Sequence, residues 1–294
     1  MKILLIGGTG MVGSHVASAL ATHGVPVRFL TRSRATAAAV QKPLEAVLGD
    51  LNDADSLRDA FRGVEALFLV TAHSITETGQ GLTAVHAALD AGVRRIVYLS
   101  KAVAPGTMRI PHVASKAPIE HTLITSRIEY TILRASNLFQ NDRCVDEFIV
   151  GGTYPQPIGR LGIHRIDARD VADAAVTALT LSGHERRIYT LGASELLTGE
   201  TVAAAYERCL ERRVRYAGDD LELWERTVAT GMPKWKRDDY RIMYRFYQEH
   251  GLALDPRDLA EQETVIGHEP RRFAHYVASV CRELLERERE PALA

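Results

Sequence analysis

The sequence predicts an α/β fold, a doubly wound parallel sheet of about seven strands with a smaller, mostly helical C-terminal region. Three observations carry this expectation. A glycine-rich turn, Gly7-Gly8-Thr9-Gly10-Met11-Val12-Gly13, follows the apolar run Lys2-Ile3-Leu4-Leu5-Ile6 and opens a helical segment, the start of a Rossmann-type unit. Short runs rich in Val, Ile and Leu then recur with helical segments between them, as expected of strands covered on both faces. From about residue 193 the texture changes to long charged-amphipathic helices with few strand signals. The expected division is a dinucleotide-binding domain over 1–150 and about 164–192, with about 151–163 and 193–294 forming the smaller domain.

The first strand, Lys2 to Ile6, runs into the turn. There Gly7 allows a sharp bend, Gly10 lets backbone N–H groups approach a pyrophosphate, and Gly13 lets the helix pack close to its strand. Glycines at 8, 10 and 13 fit the same pattern in a second frame, so Gly7, Gly8, Thr9, Gly10, Met11 and Val12 are all candidates for cofactor contact. The following helix offers free N–H groups and a partial positive charge to the anion. The same stretch looks like a secretory signal, but four glycines and His15 interrupt its apolar run.

The second strand is Val25 to Thr31, followed by Arg32-Ser33-Arg34. An NAD-preferring unit places an acid about 20 residues past the glycines to hold the ribose hydroxyls. Residues 1–44 contain no Asp or Glu, whereas Lys2, Arg28, Arg32, Arg34 and Lys42 lie in that stretch. Arg32 and Arg34 therefore point to a 2′-phosphate and to NADP(H). One such charge-assisted contact is worth about 1.5–3 kcal/mol, or about ten- to a hundredfold in preference.

Further strands are expected at Leu44 to Leu48, Ala66 to Val70, Arg95 to Leu99, Tyr130 to Leu133 and Arg187 to Leu191. Helices are expected around 54–62, 79–91, 114–126 and 170–181. Asn52 and Asp55 read as helix caps, as does Asp170. Asp50 lies before the cap, at a strand end. Tyr240, Met243, Tyr244 and Tyr247 fall on one helix face, as core or as pocket wall, and the Arg282 to Glu290 stretch reads as a solvated helix end.

With 46% apolar and 25% charged residues and a net charge of −1, the 294-residue chain has the composition of a soluble globular protein, with no case for nucleic acid or membrane partners. Cys144, Cys209 and Cys281 are far apart and odd in number, which suits a reducing cytoplasm. No histidine spacing suggests a metal. Monomer and homodimer are both open.

Several stretches together resemble the NmrA-like branch of the atypical short-chain dehydrogenase/reductases. They are the glycine turn, Thr31-Arg32, Gly49-Asp50-Leu51-Asn52-Asp53 with Ser56-Leu57, Ala91-Gly92-Val93, Tyr130-Thr131-Ile132-Leu133-Arg134 with Phe139 and Asn141, and Asp167 through Ala172. The resemblance covers nearly the whole chain. It implies NADP(H), a cleft under the C-terminal region, adenine contacts from Asp50 and Leu51, and Val70, Thr71 and Ala72 on the nicotinamide side.

The chemistry expected of the wider family uses a Ser and a Tyr-x-x-x-Lys motif. Here Ser100 and Lys116 are in place, but the tyrosine position is His112, in His112-Val113-Ala114-Ser115-Lys116. Three routes remain open: hydride addition to an acceptor whose product anion needs little help, Lys116 as the acid, or His112 as the acid. Burial near a cationic ring would make a lysine a usable acid. Lys116 also suits the nicotinamide ribose. Ser136 and Asn137 follow the sixth strand as nicotinamide or substrate contacts, and His73, Tyr240 and Tyr244 are candidates for substrate. The expected function is NADPH-dependent reduction of a small, flat, aromatic or quinonoid acceptor such as a quinone, enone or azo compound. An NADP(H)-binding sensor without turnover is the alternative.

Overall fold

The computed structural model describes residues 1–40 and 44–289, so Lys42 and Glu290 lie outside the described residues. Its main sheet contains β1 (Ile3–Ile6), β2 (Val27–Thr31), β3 (Glu45–Leu48), β4 (Ala66–Leu69), β5 (Arg95–Lys101), β6 (Glu129–Ala135) and β7 (Arg187–Leu191). All are parallel, in the order β7-β6-β5-β4-β1-β2-β3. Every side chain of β1 and β4 is buried, which explains their unbroken apolar runs. The strand order reverses between β1 and β4, and ligands of open α/β sheets gather outside the carboxyl ends at such a switch point.

Helices α1 (Met11–Thr22) and α4 (Ala168–Thr180) pack together on one face of the sheet. Helices α2 (Glu77–Asp90) and α3 (Ala117–Thr125) pack together on the other. The helix expected over 114–126 is broken into a turn at Pro111–Ala114 and α3. Pro118 has no N–H to donate to the Ala114 carbonyl, so the break falls at Ser115 and Lys116. The helix expected over 54–62 is a single turn, Ala54–Leu57. Beyond it, the carbonyls of Ala60 and Arg62 accept from the Arg28 guanidinium at 2.9 and 3.0 Å.

Three capping expectations are corrected. Asp53, not Asn52 or Asp55, caps Ala54–Leu57 by accepting from the Asp55 backbone N–H at 3.1 Å. Asp167, not Asp170, caps α4, and Asp170 instead accepts from the Arg271 backbone N–H at 2.8 Å and pairs with its guanidinium.

The C-terminal region has its own core, built on α5 (Gly199–Leu210), α6 (Lys234–His250) and α7 (Phe273–Arg289). At its centre Arg165, 1% exposed, pairs with the buried Asp142 at 3.0 Å, and the Tyr154 and Tyr206 hydroxyls donate to the same carboxylate. The segment before α7 returns to the main sheet, where Val265 and Ile266 pack with the residues of α4 and Gln262 bonds both polar groups of the Gly192 backbone. Among the described residues no helix is long and apolar enough to cross a membrane.

Candidate functional site

At the carboxyl ends of the central strands lies a cleft of about 440 Å³, between the glycine turn and α6. That volume suits a small organic ligand. The turn is shaped for an anion. Gly7 has φ +80°, and a Cβ on Gly13 would stand 2.1 Å from the Gly7 carbonyl oxygen, so α1 reaches the turn only because residue 13 has no side chain. A Cβ on Gly8 would strike the Phe29 ring at 2.3 Å, so both glycine frames have a physical cause. The Gly10 N–H is taken by the Gly7 carbonyl at 3.0 Å, so Gly10 contributes a bare, exposed surface rather than a donor to the pyrophosphate. The first turn of α1 carries no acid, leaving its positive end unopposed. Gly7, Gly10, Met11, Val12 and Gly13 line the cleft, while Gly8 is buried behind it and Thr9 is exposed.

The basic residues of the first two strands divide in two. Lys2 donates to Glu45 at 3.1 Å, and the buried Arg28 donates to the other oxygen of Glu45 at 2.9 Å. Both are scaffold, neutralised by the first acid past residue 44. Arg32 and Arg34 are exposed just beyond β2 and have no ion-pair partner among the described residues. One carboxylate oxygen of Asp50 accepts from the backbone and side-chain N–H groups of Asn52 at 2.9 and 3.0 Å. Leu51 packs on the apolar layer under α2, and neither residue lines the cleft; nor does Ala72, which is exposed.

Val70, Thr71 and Ser100 line the cleft. So does Lys116, but it is not alone. Its Nζ donates to Glu77 Oε1 at 2.5 Å, with Lys116 7% and Glu77 2% exposed. The Thr71 hydroxyl donates to the same oxygen at 2.8 Å, and the Ser115 hydroxyl donates to Oε2 at 3.0 Å. Glu77 begins α2 two residues before the helix start expected from sequence, and it gives Lys116 a counter-ion that the expectation of an acidic lysine did not include.

The histidines also meet in space. Asp239, on α6, accepts from His73 Nε2 at 2.7 Å through one oxygen and from His112 Nδ1 at 2.8 Å through the other. A carboxylate has no hydrogen to give, so both imidazole nitrogens carry one. Burial would raise the Asp239 carboxyl, but these two bonds and the histidine charges hold it well below the usual carboxylate range. Burial pushes His112 below its ordinary range, and the charges of Lys101 and His73 add to that effect. A neutral His112 in this tautomer presents a lone pair at Nε2 rather than a proton. The donor atoms of His73, His112 and Asp239 lie within 4.8 Å of one another, a grouping that chain spacing could not reveal. The two bonds to the carboxylate account for it without an ion.

Tyr240, Met243 and Tyr244 form the α6 wall of the cleft, and the Tyr240 ring lies 5.3 Å from that of His73. Asn137 lines the cleft, with its side-chain carbonyl accepting from Arg165 at 3.0 Å. Ser136 does not; it is 1% exposed and faces a small inner recess beside the cleft. Arg134 makes a two-pronged pair with Glu120 at 2.6 and 3.2 Å. Sequence reasoning missed Glu77, Asp239 and Lys101, which lines both the cleft and the recess.

The sheet, its switch point and the glycine cradle define a Rossmann-type dinucleotide-binding protein. The chain belongs to the NmrA-like family, whose model matches residues 1–277. An NAD(P)H azoreductase of Xenophilus azovorans is 29% identical over 282 residues, 93% of this chain and 96% of that protein. A (4-alkanoyl-5-oxo-2,5-dihydrofuran-3-yl)methyl phosphate reductase of Streptomyces griseus subsp. griseus is 34% identical over 216 residues, 73% of this chain and 76% of that protein. The fold matches the Citrobacter sp. triphenylmethane reductase complexed with NADP(H) with a TM-score of 0.83 and 23% identity, covering 96% of this chain and 100% of the other.

Proposed function

We propose that this chain is an NADPH-dependent oxidoreductase that reduces a small, flat, electron-poor acceptor, a quinone, azo compound or conjugated carbonyl. The observation that carries it is the cleft itself, with the anion-ready glycine turn at one end and the aromatic wall of Tyr240 and Tyr244 over the carboxyl ends of the strands. Relatives named as reductases of an azo compound and of an unsaturated oxo-furan ring support the same class.

NADPH supplies the hydride. The residues around it bind, orient and exclude water. The end of α1 would hold the pyrophosphate and Arg32 with Arg34 the 2′-phosphate, while Asp50 and Leu51, outside the cleft itself, would bound the adenine. Val70, Thr71 and Asn137 would flank the nicotinamide, and Lys116, fixed by Glu77, would hold its ribose. His73, Tyr240 and Tyr244 bound the acceptor. His112 delivers a proton to it only after taking one up at Nε2, because Nδ1 is committed to Asp239.

The test is to mix the protein with NADPH and a panel of quinones, azo dyes and enones and follow the nicotinamide absorbance. Consumption with at least one acceptor class is expected. Tight NADPH binding with no consumption by any acceptor would overturn the enzymatic reading and leave the sensor.

A further inference from the structure

The charged groups of the cleft come with partners. Lys116 has Glu77, His73 and His112 share Asp239, and Arg143 contacts Asp146 at 3.3 Å and Glu283 at 2.9 Å. Lys101 is the exception. It is the last residue of β5, its backbone held against Ala135 of β6, and its half-buried side chain lines the cleft together with its inner recess. Among the described residues its ammonium has no carboxylate within ion-pair distance and no hydrogen-bond acceptor.

A cation taken partly out of water without a partner is costly, and folds keep one where a ligand completes it. Burial, with the charge of Lys116 against it and Glu77 only partly offsetting both, already brings Lys101 down to about 8. An anion arriving in the cleft would relieve that burden. The dinucleotide's own phosphates belong at the start of α1, by β1, and β4 stands between β1 and β5 in the sheet. Lys101 is therefore left for the other occupant of the cleft.

We propose that Lys101 anchors an oxyanion, a carboxylate or phosphate group, on the acceptor, so that this chain selects acidic flat molecules over neutral ones of the same shape. The selection rests on the reductase reading for the word acceptor, but the anion site itself does not require turnover. His112, in the same recess, gains as well, because an anion beside Lys101 removes one of the charges that disfavour its protonation.

The experiment is calorimetric binding to the protein loaded with NADP⁺, using 2-naphthoate, 2-naphthyl phosphate and the neutral methyl 2-naphthoate. At least one anion is expected to bind tenfold or more tightly than the ester, and the tighter of the two identifies the group. Lys101→Met is expected to collapse that ratio to about one, with Lys101→Gln as a second neutral variant and Lys101→Arg retaining most of the ratio. Equal binding of all three probes to the unaltered protein would overturn the proposal, as would a ratio that survives in both neutral variants. A tenfold loss of NADP⁺ affinity in those variants would also overturn it, by giving Lys101 to the cofactor. Absence of NADPH consumption alongside a strong anion preference would count against the reductase reading alone.

Discussion

Asp239→Asn tests whether one carboxylate sets the state of both cleft histidines. In the native chain it accepts two N–H groups, at 2.7 and 2.8 Å, and its side chain is 6% exposed. An amide keeps one acceptor and places an NH₂ where the second was, so one imidazole must change tautomer or lose its bond. Losing one bond to a charged group and weakening the other costs about 2 kcal/mol at neutral pH. At about 2–4 °C per kcal/mol for a chain approaching this size, Tm should fall by about 4–8 °C. The pH dependence has a definite sign. The folded-state carboxyl is depressed, so its contribution is complete above the ordinary carboxylate range and is lost as pH falls through and below about 3.9. Because the carboxylate in turn favours a proton on His112, the stability gap between native and variant should widen as pH falls below about 6.5 and shrink again under acid strong enough to protonate the carboxylate. Nitrogen-15 NMR of the histidine rings should show His112 protonated at Nδ1 and His73 at Nε2 in the native chain, and a change at one of them in the variant. An unchanged pair of tautomers with an unchanged Tm would refute the reasoning.

Three further outcomes follow from the site. Arg32→Ala should reduce the preference for NADPH over NADH by about ten- to a hundredfold in equilibrium binding, and an unchanged ratio would remove Arg32 from phosphate recognition. Lys116→Ala should lower turnover of any acceptor by about a hundredfold; kinetics equal to the native chain would return the residue to the scaffold. Because that change strands the buried Glu77, denaturant unfolding should show a loss of about 3–5 kcal/mol, and Lys116→Met combined with Glu77→Gln should recover most of it.

Much of this was legible in the chain because periodicity and glycine chemistry are local. All seven main strands lie where the apolar runs place them, and Gly7 and Gly13 are glycine for the reasons their spacing suggests. What was missed is non-local or sits at element ends. Ending the fifth strand at Leu99 left Lys101 outside the sheet, although it continues in register with Ala135. Glu77 lay just before the helix start expected from sequence. Asp239 is 166 residues from His73 and 127 from His112, so no spacing rule joins them. Arg28 was counted only among the basic residues of 1–44, with no role of its own, because strand alternation alone does not say which face of β2 turns toward Glu45.

The pairing of Arg28 and Lys2 with Glu45 divides labour along one short stretch of backbone. The inner guanidinium holds the edge of the sheet together, while the outer ones, past the end of β2, are spare. If Arg32 and Arg34 hold the 2′-phosphate as proposed, a redesign toward the cheaper coenzyme that lacks it would be confined to residues 32–34. Selectivity would then be a replaceable fitting, exchanged without touching the frame that carries it.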